Sequence, residues 1–345
     1  MPKTLLLDAS KPSDVALAAK LLREGQLVAF ATETVYGLGA NALSAEAVAG
    51  IFVAKQRPAW DPLIVHLASA DELHRVAKVP GGLQERVATL VWAFLPGPLT
   101  LLLPRSEAVP DAVTAGRELV GVRVPAHRAA LALLAEAGVP VAAPSANRFG
   151  HTSPTTARHV LDDLEGRIAA VLDAGPTTIG VESTVLDPTQ TPMVLYRPGA
   201  VSAEELTAVT GVAVRVFEPV ETAEPEALPS PGVGIRHYAP RARLVLVEQA
   251  EEDDAQHCLL ERNALELAAG HSVGLMLPNG WAILPQTHMF PWGEWDEPKE
   301  LAARLFAGLR ELDDRGVAVI LCPLPEAGGL GDALRDRLRK AARTK

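Results

Sequence analysis

Along its first 215 residues the chain alternates short apolar runs with segments whose apolar residues recur at helical spacing. Runs of strand length stand at Leu27–Ala31, Leu63–Leu67, Leu99–Leu103, Val120–Val124, Val139–Ala143, Ala169–Leu172, Ser183–Leu186 and Met193–Tyr196. Between them lie helix signals. Ser13 precedes a helix over Asp14–Glu24 with Gly25 as its C-cap, and Ser44 caps one over Ala45–Gln56 that Pro58 ends. Ser69 with Glu72, and Ser202 with Glu205, have capping-box spacing, the second opening a helix to about Thr210. Ser153-Pro154 reads as N-cap and first residue of a helix through Leu164. Strands and helices mixed at irregular intervals predict an α/β body with a twisted mixed sheet.

The pattern changes near Phe217. Residues 216–241 begin rich in Pro and acid and read as an extended linker, ending in the crowded Arg236-His237-Tyr238. From 242 to 345 the order becomes strand (Leu244–Val247), helix (about Asp253–Ala269), strand (Ser272–Leu277), helix (Pro298–Arg310), strand (Val317–Cys322), helix (Gly331–Ala342). That is the βαβαβα signature of a small Rossmann-like domain with an open parallel sheet.

Composition narrows the classes. With 48% hydrophobic but only 4% aromatic residues, the core is aliphatic. The formal charge of −10 disfavours a protein whose main work is holding nucleic acid, which relies on clustered Lys and Arg. The charge is uneven: residues 1–200 hold 17 Lys+Arg against 19 Asp+Glu, which leaves room for a local basic groove. The two cysteines, Cys258 and Cys322, have no metal-ligand spacing and fit two small buried thiols in a reducing cytosol. The N-terminus is charged too early for a signal peptide, and Pro96-Gly97-Pro98 breaks the most apolar region, so a soluble, cytoplasmic protein is expected.

The chemistry concentrates in Phe30–Leu67. A buried strand ends in Thr32-Glu33-Thr34, and Tyr36-Gly37-Leu38-Gly39 follows, its glycines permitting a sharp turn or close approach of a ligand. The helix ending at Pro58 places Lys55 and Arg57 in its last turn, and the next strand carries His66 among aliphatics. Hydroxyls, cations and an imidazole at the ends of strands and a helix suit an anion-handling pocket. Pro144-Ser145-Ala146-Asn147 follows a strand directly, as either a polar turn or a phosphate seat. Arg123 alternates with aliphatics inside a strand, so an internal acid or a bound carboxylate must pair it. Arg197 before Pro198-Gly199 reads as a strand-end cation or a phosphate fork. There is no Walker A motif, no GxGxxG after a strand and no GxSxG elbow.

Taken together, TETVYGLGAN, the KQRP…PLIVH run, PGPLT, VGVRVPAH, APSANRFGHTSPT, DAGPTTIGVESTV, YRPGAV and PGVGIRHYAP resemble the YrdC-like family in its long form, with a C-terminal extension domain. The match runs almost without interruption from about residue 27 to 241. The family pattern departs at Ala31, where Pro is usual. The resemblance implies L-threonylcarbamoyladenylate synthase activity. L-threonine, bicarbonate (or carbon dioxide) and ATP would give threonylcarbamoyl-AMP and pyrophosphate, with Mg²⁺ on the phosphates. A separate transferase would then act at position 37 of tRNA. By that similarity Thr34, His66, Arg123, Ala143 and Ser183 hold L-threonine. Arg57, Asp61, Ser145, Asn147, Ser153 and Arg197 line the ATP side, with Lys55 and Arg57 as the catalytic cations. Thr32 and Tyr36 complete the wall, and Arg236, His237 and Tyr238 form a lid. No protein side chain is assigned to the metal. A double-stranded RNA or tRNA binder is the alternative from another class, and a weak tRNA contact is compatible with both.

Overall fold

The apolar runs of the first part become strands of one mixed sheet in the computed structural model, which describes residues 3–218, 238–248, 252–282 and 287–343. The chain divides into two compact units. One comprises Met1–Phe149, Pro154–Thr178 and Glu182–Gly234, the other Gly150–Ser153, Ile179–Val181 and Ile235–Lys345.

In the first unit the strands are β1 (Leu5–Asp8), β2 (Val28–Phe30), β3 (Gly37–Asn41), β4 (Ile64–His66), β5 (Leu99–Pro104), β6 (Leu119–Arg123), β7 (Val141–Ala142), β8 (Ala170–Asp173), β9 (Thr184–Asp187), β10 (Met193–Arg197) and β11 (Val214–Val216). They form an eleven-stranded sheet in the order β1-β8-β2-β3-β7-β4-β6-β5-β9-β10-β11. Its helices are α1 (Pro12–Arg23), α2 (Ala45–Lys55), α3 (Gln84–Phe94), α4 (Asp111–Thr114), α5 (Arg128–Ala137), α6 (Ala157–Leu164) and α7 (Ala203–Thr210). Leu22 of α1 and Leu133 and Leu134 of α5 pack with Phe30, Val141 and Leu172. A second cluster joins Val48 and Ile51 of α2, Leu90 of α3, Val160 of α6 and Leu206 of α7 to Leu38, Val65, Leu101 and Val122. The aliphatic content thus fills two cores against one sheet.

Caps decide several boundaries. Ser44 accepts from the Ala47 amide, and Ser202 and Glu205 close a reciprocal capping box. Three expectations are corrected: the first helix spans Pro12–Arg23 between Lys11 and Glu24, so Ser13 lies inside it and Gly25 is not its cap. Ser69 accepts from Asp71 and opens only a 3₁₀ segment, Ala70–Arg75. The helix after Ser153-Pro154 starts at Ala157 instead, because the Thr156 hydroxyl caps the His159 amide. The glycines of Tyr36–Gly39 do not make a turn: Gly37 and Gly39 lie in β3, paired antiparallel with β2. What demands glycine at 39 is crowding. A Cβ there would stand 2.9 Å from Val141 Cγ1 and 3.1 Å from the Val28 carbonyl oxygen.

In the second unit, β12 (Arg243–Val247), β13 (Val273–Pro278), β14 (His288–Gly293) and β15 (Val319–Pro323) form a parallel sheet in the order β12-β15-β13-β14, with α8 (Glu252–Ala268), α9 (Pro298–Asp314) and α10 (Leu330–Ala342). The strand at His288–Gly293 was absent from the sequence pattern because Pro291 interrupts it; as an edge strand it tolerates the missing donor. Gly150–Ser153 and Ile179–Val181 group with this unit. The Ala239 amide donates to the Gly150 carbonyl at 2.9 Å. Gly180, at φ +82°, faces the Ala302 carbonyl so closely that a Cβ would lie 2.2 Å from its oxygen. Cys322 is buried and Cys258 half-buried. Among the described residues no helix is long and apolar enough to cross a membrane.

Gly39→Ala is expected to lower the melting transition of the protein, at a cost of about 1–3 kcal/mol from overpacking. Thermal melts followed by circular dichroism check this, and an unchanged transition would show that β2 and β3 can separate freely.

Candidate active site

The loop leaving β2 is folded by its own hydroxyls. Thr32 Oγ1 donates to the Val35 carbonyl at 2.6 Å and accepts from the Thr34 and Val35 amides at 3.2 and 3.3 Å. Its hydrogen being committed there, Thr34 Oγ1 is the donor in the 2.8 Å contact between the two threonines. Parallel pairing of β4 with β6 sets His66 in register with Arg123. The Arg123 guanidinium is buried. Nη1 donates to Thr34 Oγ1 at 2.9 Å, Nε to the Gly97 carbonyl at 3.2 Å, and Nη2 meets Glu33 at 2.6 Å. The internal acid that the sequence allowed for Arg123 is Glu33.

His66 lies edge-on to Phe30, with ring centroids 6.2 Å apart. Its Nδ1 is buried without a hydrogen-bond partner among the described residues. Burial, and then the Arg123 charge, push its pKa down to about 3, so the ring is neutral. The Ala143 amide beside it donates to the Ile64 carbonyl at 2.9 Å. Ser183 stands at the start of β9, its hydroxyl 2.8 Å from Thr100 Oγ1. Arg197 reaches it from β10, donating through Nη2 to Ser183 Oγ at 3.1 Å and through Nε to the Ser183 carbonyl at 3.0 Å.

Lys55, at the end of α2, is only 1% exposed. Its ammonium donates to the Ser145 and Asn147 carbonyls, while the Phe149 amide returns to the Lys55 carbonyl at 2.9 Å. The segment after β7 is therefore laced to the last turn of α2. Burial, and then the neighbouring Arg57 charge, hold the Lys55 pKa well below its ordinary value. Gln56, in the left-handed region at φ 54°, turns the chain so that Arg57 points back. Arg57 pairs with Asp61 at 2.9 Å, donates to the Pro62 carbonyl at 2.8 Å, and lies 6.0 Å from the Phe149 ring centroid. Burial pushes the Asp61 carboxyl up, against Arg57, Lys55 and Arg197, all near enough to pull it down. Lys55, Arg57 and Arg197 therefore belong to one electrostatic group. Cations already held by carbonyls and carboxylates in a low-dielectric interior need little reorganisation to receive an anion.

The remaining expected residues are placed as follows. Ser145 bridges to Gly37, and Asn147 Nδ2 donates to the Arg148 carbonyl at 2.8 Å. The Tyr36 hydroxyl lies 2.7 Å from the Gly175 carbonyl and 3.0 Å from Asp173, and burial raises its pKa. Ser153 is buried and belongs to the second unit. Tyr238 also belongs there, at φ +65°, its ring stacked on Phe306 at 5.7 Å with the Arg337 guanidinium 5.2 Å away. Arg236 and His237 lie outside the described residues. Three side chains here had no role in the sequence reading: Glu33, Thr100 and Asp173. Only Glu33 had a signal, the need of Arg123 for an acid. Among the described residues no group of three His, Cys, Asp or Glu side chains could hold a metal.

Two family models match the sequence: Sua5_yciO_yrdC, described as "Telomere recombination", over residues 20–199, and "Threonylcarbamoyl-AMP synthase, C-terminal domain" over residues 201–343. A curated protein of Pyrococcus abyssi named Threonylcarbamoyl-AMP synthase is 45% identical over 328 residues, covering 95% of this chain and 94% of its own. One of the same name from Bacillus subtilis is 42% identical over 330 residues, covering 95% and 92%. Among solved structures, P. abyssi Sua5 complexed with L-threonine matches with a TM-score of 0.89 at 43% identity, over 99% of this chain and 98% of that one.

The neutral His66 makes a pH prediction. Its folded pKa of about 3 lies below the ordinary 6.5, so the unfolded chain takes up the proton first as pH falls. Its contribution to stability is therefore complete above about pH 6.5 and is lost progressively toward pH 3. In His66→Asn the fall of melting temperature between pH 6.5 and 4.5 is expected to be shallower than in the wild type. Parallel slopes would mean that His66 already ionises in the folded protein.

Proposed function

The chain belongs to the Sua5–YciO–YrdC family in its long form, and we infer from this membership and from its buried cations that it is a threonylcarbamoyl-AMP synthase. L-threonine, bicarbonate or carbon dioxide, and ATP are its substrates, and pyrophosphate leaves. The reaction is a nucleotidyl transfer: the threonine amine captures carbon dioxide, and a carbamate oxygen attacks the α-phosphorus. The adenylate then passes to a separate transferase for tRNA modification, in the cytoplasm.

The observation that carries this reading is the burial of Lys55, Arg123 and Arg197, at 1%, 4% and 4% exposure, in one unit. Arg123 receives the threonine carboxylate by a bidentate fork, with the Thr34 hydroxyl and the neutral His66 ring as polar neighbours. Arg57 and Arg197 face the triphosphate, and Lys55 holds the Ser145–Asn147 backbone that completes the phosphate seat. Mg²⁺ would be carried on the phosphates, where it would offset their charge. The protein needs no nucleophile of its own. Its contribution is to align two anions and to keep water from the labile carbamate.

Incubating the protein with ATP, Mg²⁺ and bicarbonate should release pyrophosphate with L-threonine and far less with L-serine, and no threonine-dependent release would overturn the reading. Arg197→Ala should slow that release roughly 10²–10³-fold, by analogy with loss of one oxyanion donor. A rate within a factor of two of wild type would remove Arg197 from the ATP side.

A further inference from the structure

Glu33 is 7% exposed, and neither carboxylate oxygen has a hydrogen-bond partner among the described residues. Its contact is the ion pair with Arg123 Nη2 at 2.6 Å. On the other side of that guanidinium, Nε and Nη1 are occupied by the Gly97 carbonyl and the Thr34 hydroxyl. Each terminal nitrogen still has an N–H to give, so a carboxylate arriving at Arg123 would share the single charge of that guanidinium with Glu33. Two buried carboxylates on one cation would leave a negative charge uncompensated, which is strongly unfavourable. His127 does not relieve this: its burial favours the neutral ring, though Glu33 pulls the other way. An α-amino acid solves the problem, since it brings an ammonium one carbon from its carboxylate.

We propose that Glu33 is the residue that selects a zwitterionic substrate, holding Arg123 in the free protein and turning to the substrate ammonium when the substrate carboxylate takes its place. The proposal rests on Arg123 being the carboxylate partner of threonine. Glu33 then holds the ammonium of the incoming substrate beside Arg123 and rejects hydroxy acids lacking that nitrogen. A neutral or anionic analogue with the same carboxylate and hydroxyl leaves Glu33 unpaired, so the site discriminates through the cost of its own buried charge.

The test compares L-threonine with 3-hydroxybutanoate, which keeps the carboxylate and hydroxyl but lacks the amine, by calorimetry on the full chain. Wild type should bind threonine at least about tenfold more tightly, the scale of one buried charged hydrogen bond. Glu33→Gln keeps an acceptor for Arg123 and should narrow that preference from both sides, threonine binding more weakly and 3-hydroxybutanoate more tightly. Equal affinity of wild type for the two ligands would overturn the proposal even if the variant did not fold. So would a variant that melts like wild type yet weakens both ligands alike. Pyrophosphate release by wild type, measured alongside, separates the two failures: release with threonine but an unchanged preference in Glu33→Gln removes only the Glu33 role, whereas no release and no threonine binding removes the activity itself.

Discussion

A guanidinium held away from water is the constraint on which the loops around the end of β6 depend. Arg123 sits at the end of a strand whose neighbours are aliphatic, and β4 and β5 flank it on both sides. Leaving such a group unpaired would cost several kcal/mol, so the surrounding loops are shaped to answer it. The loop after β2 supplies Glu33 and the Thr34 hydroxyl, and Gly97 supplies a carbonyl. The same hydrogen-bond chain continues from Thr34 to Thr32 and ends on the Val35 carbonyl. The guanidinium and the loop that frames it are thus held by one set of bonds. Movement of Arg123 toward a ligand would be felt at β2.

The cations expected on the nucleotide side obey the same rule with different partners. Lys55 is neutralised less by an acid than by two carbonyl oxygens, and in meeting them it fixes the backbone from Ser145 to Asn147. Arg57 has Asp61, four residues on, made reachable by the left-handed Gln56. Arg197 is anchored on both the hydroxyl and the carbonyl of Ser183, which ties β10 to the start of β9. Each cation therefore has a structural duty in addition to any ligand it receives. For that reason substitutions at these positions must be judged by folding and by activity separately.

The second unit has its own logic. Its parallel sheet is covered by helices, with Leu301, Leu305 and Phe306 of α9 buried on its inner side. Gly180 is admitted against the backbone of α9 only because it lacks a side chain. Tyr238 stacks on Phe306 of the same helix, in a left-handed backbone conformation that tyrosine adopts only when its surroundings hold it there.

Much of this was legible locally. Strand runs, the Ser44 and Ser202 caps, the acidic Pro-rich break and the alternating order after residue 242 depend on neighbours within a few positions, and sequence carries such information directly. The text from TETVYGLGAN to PGVGIRHYAP likewise marked the family. What sequence left open were choices between partners distant along the chain. Gly37 and Gly39 were read as allowing a turn or the close approach of a ligand, and the nearness of β2 and Val141 made them a strand. Ser153 was expected to cap the next helix, and hydrogen-bond geometry gave that place to Thr156 instead. Pro291 hid a strand that only an edge position permits. Arg123 required an anion by its burial alone, yet nothing in its own segment said which. The fold answered with Glu33, ninety positions earlier, because burying a charge is a local cost whose remedy can come from any part of the chain that folding brings near.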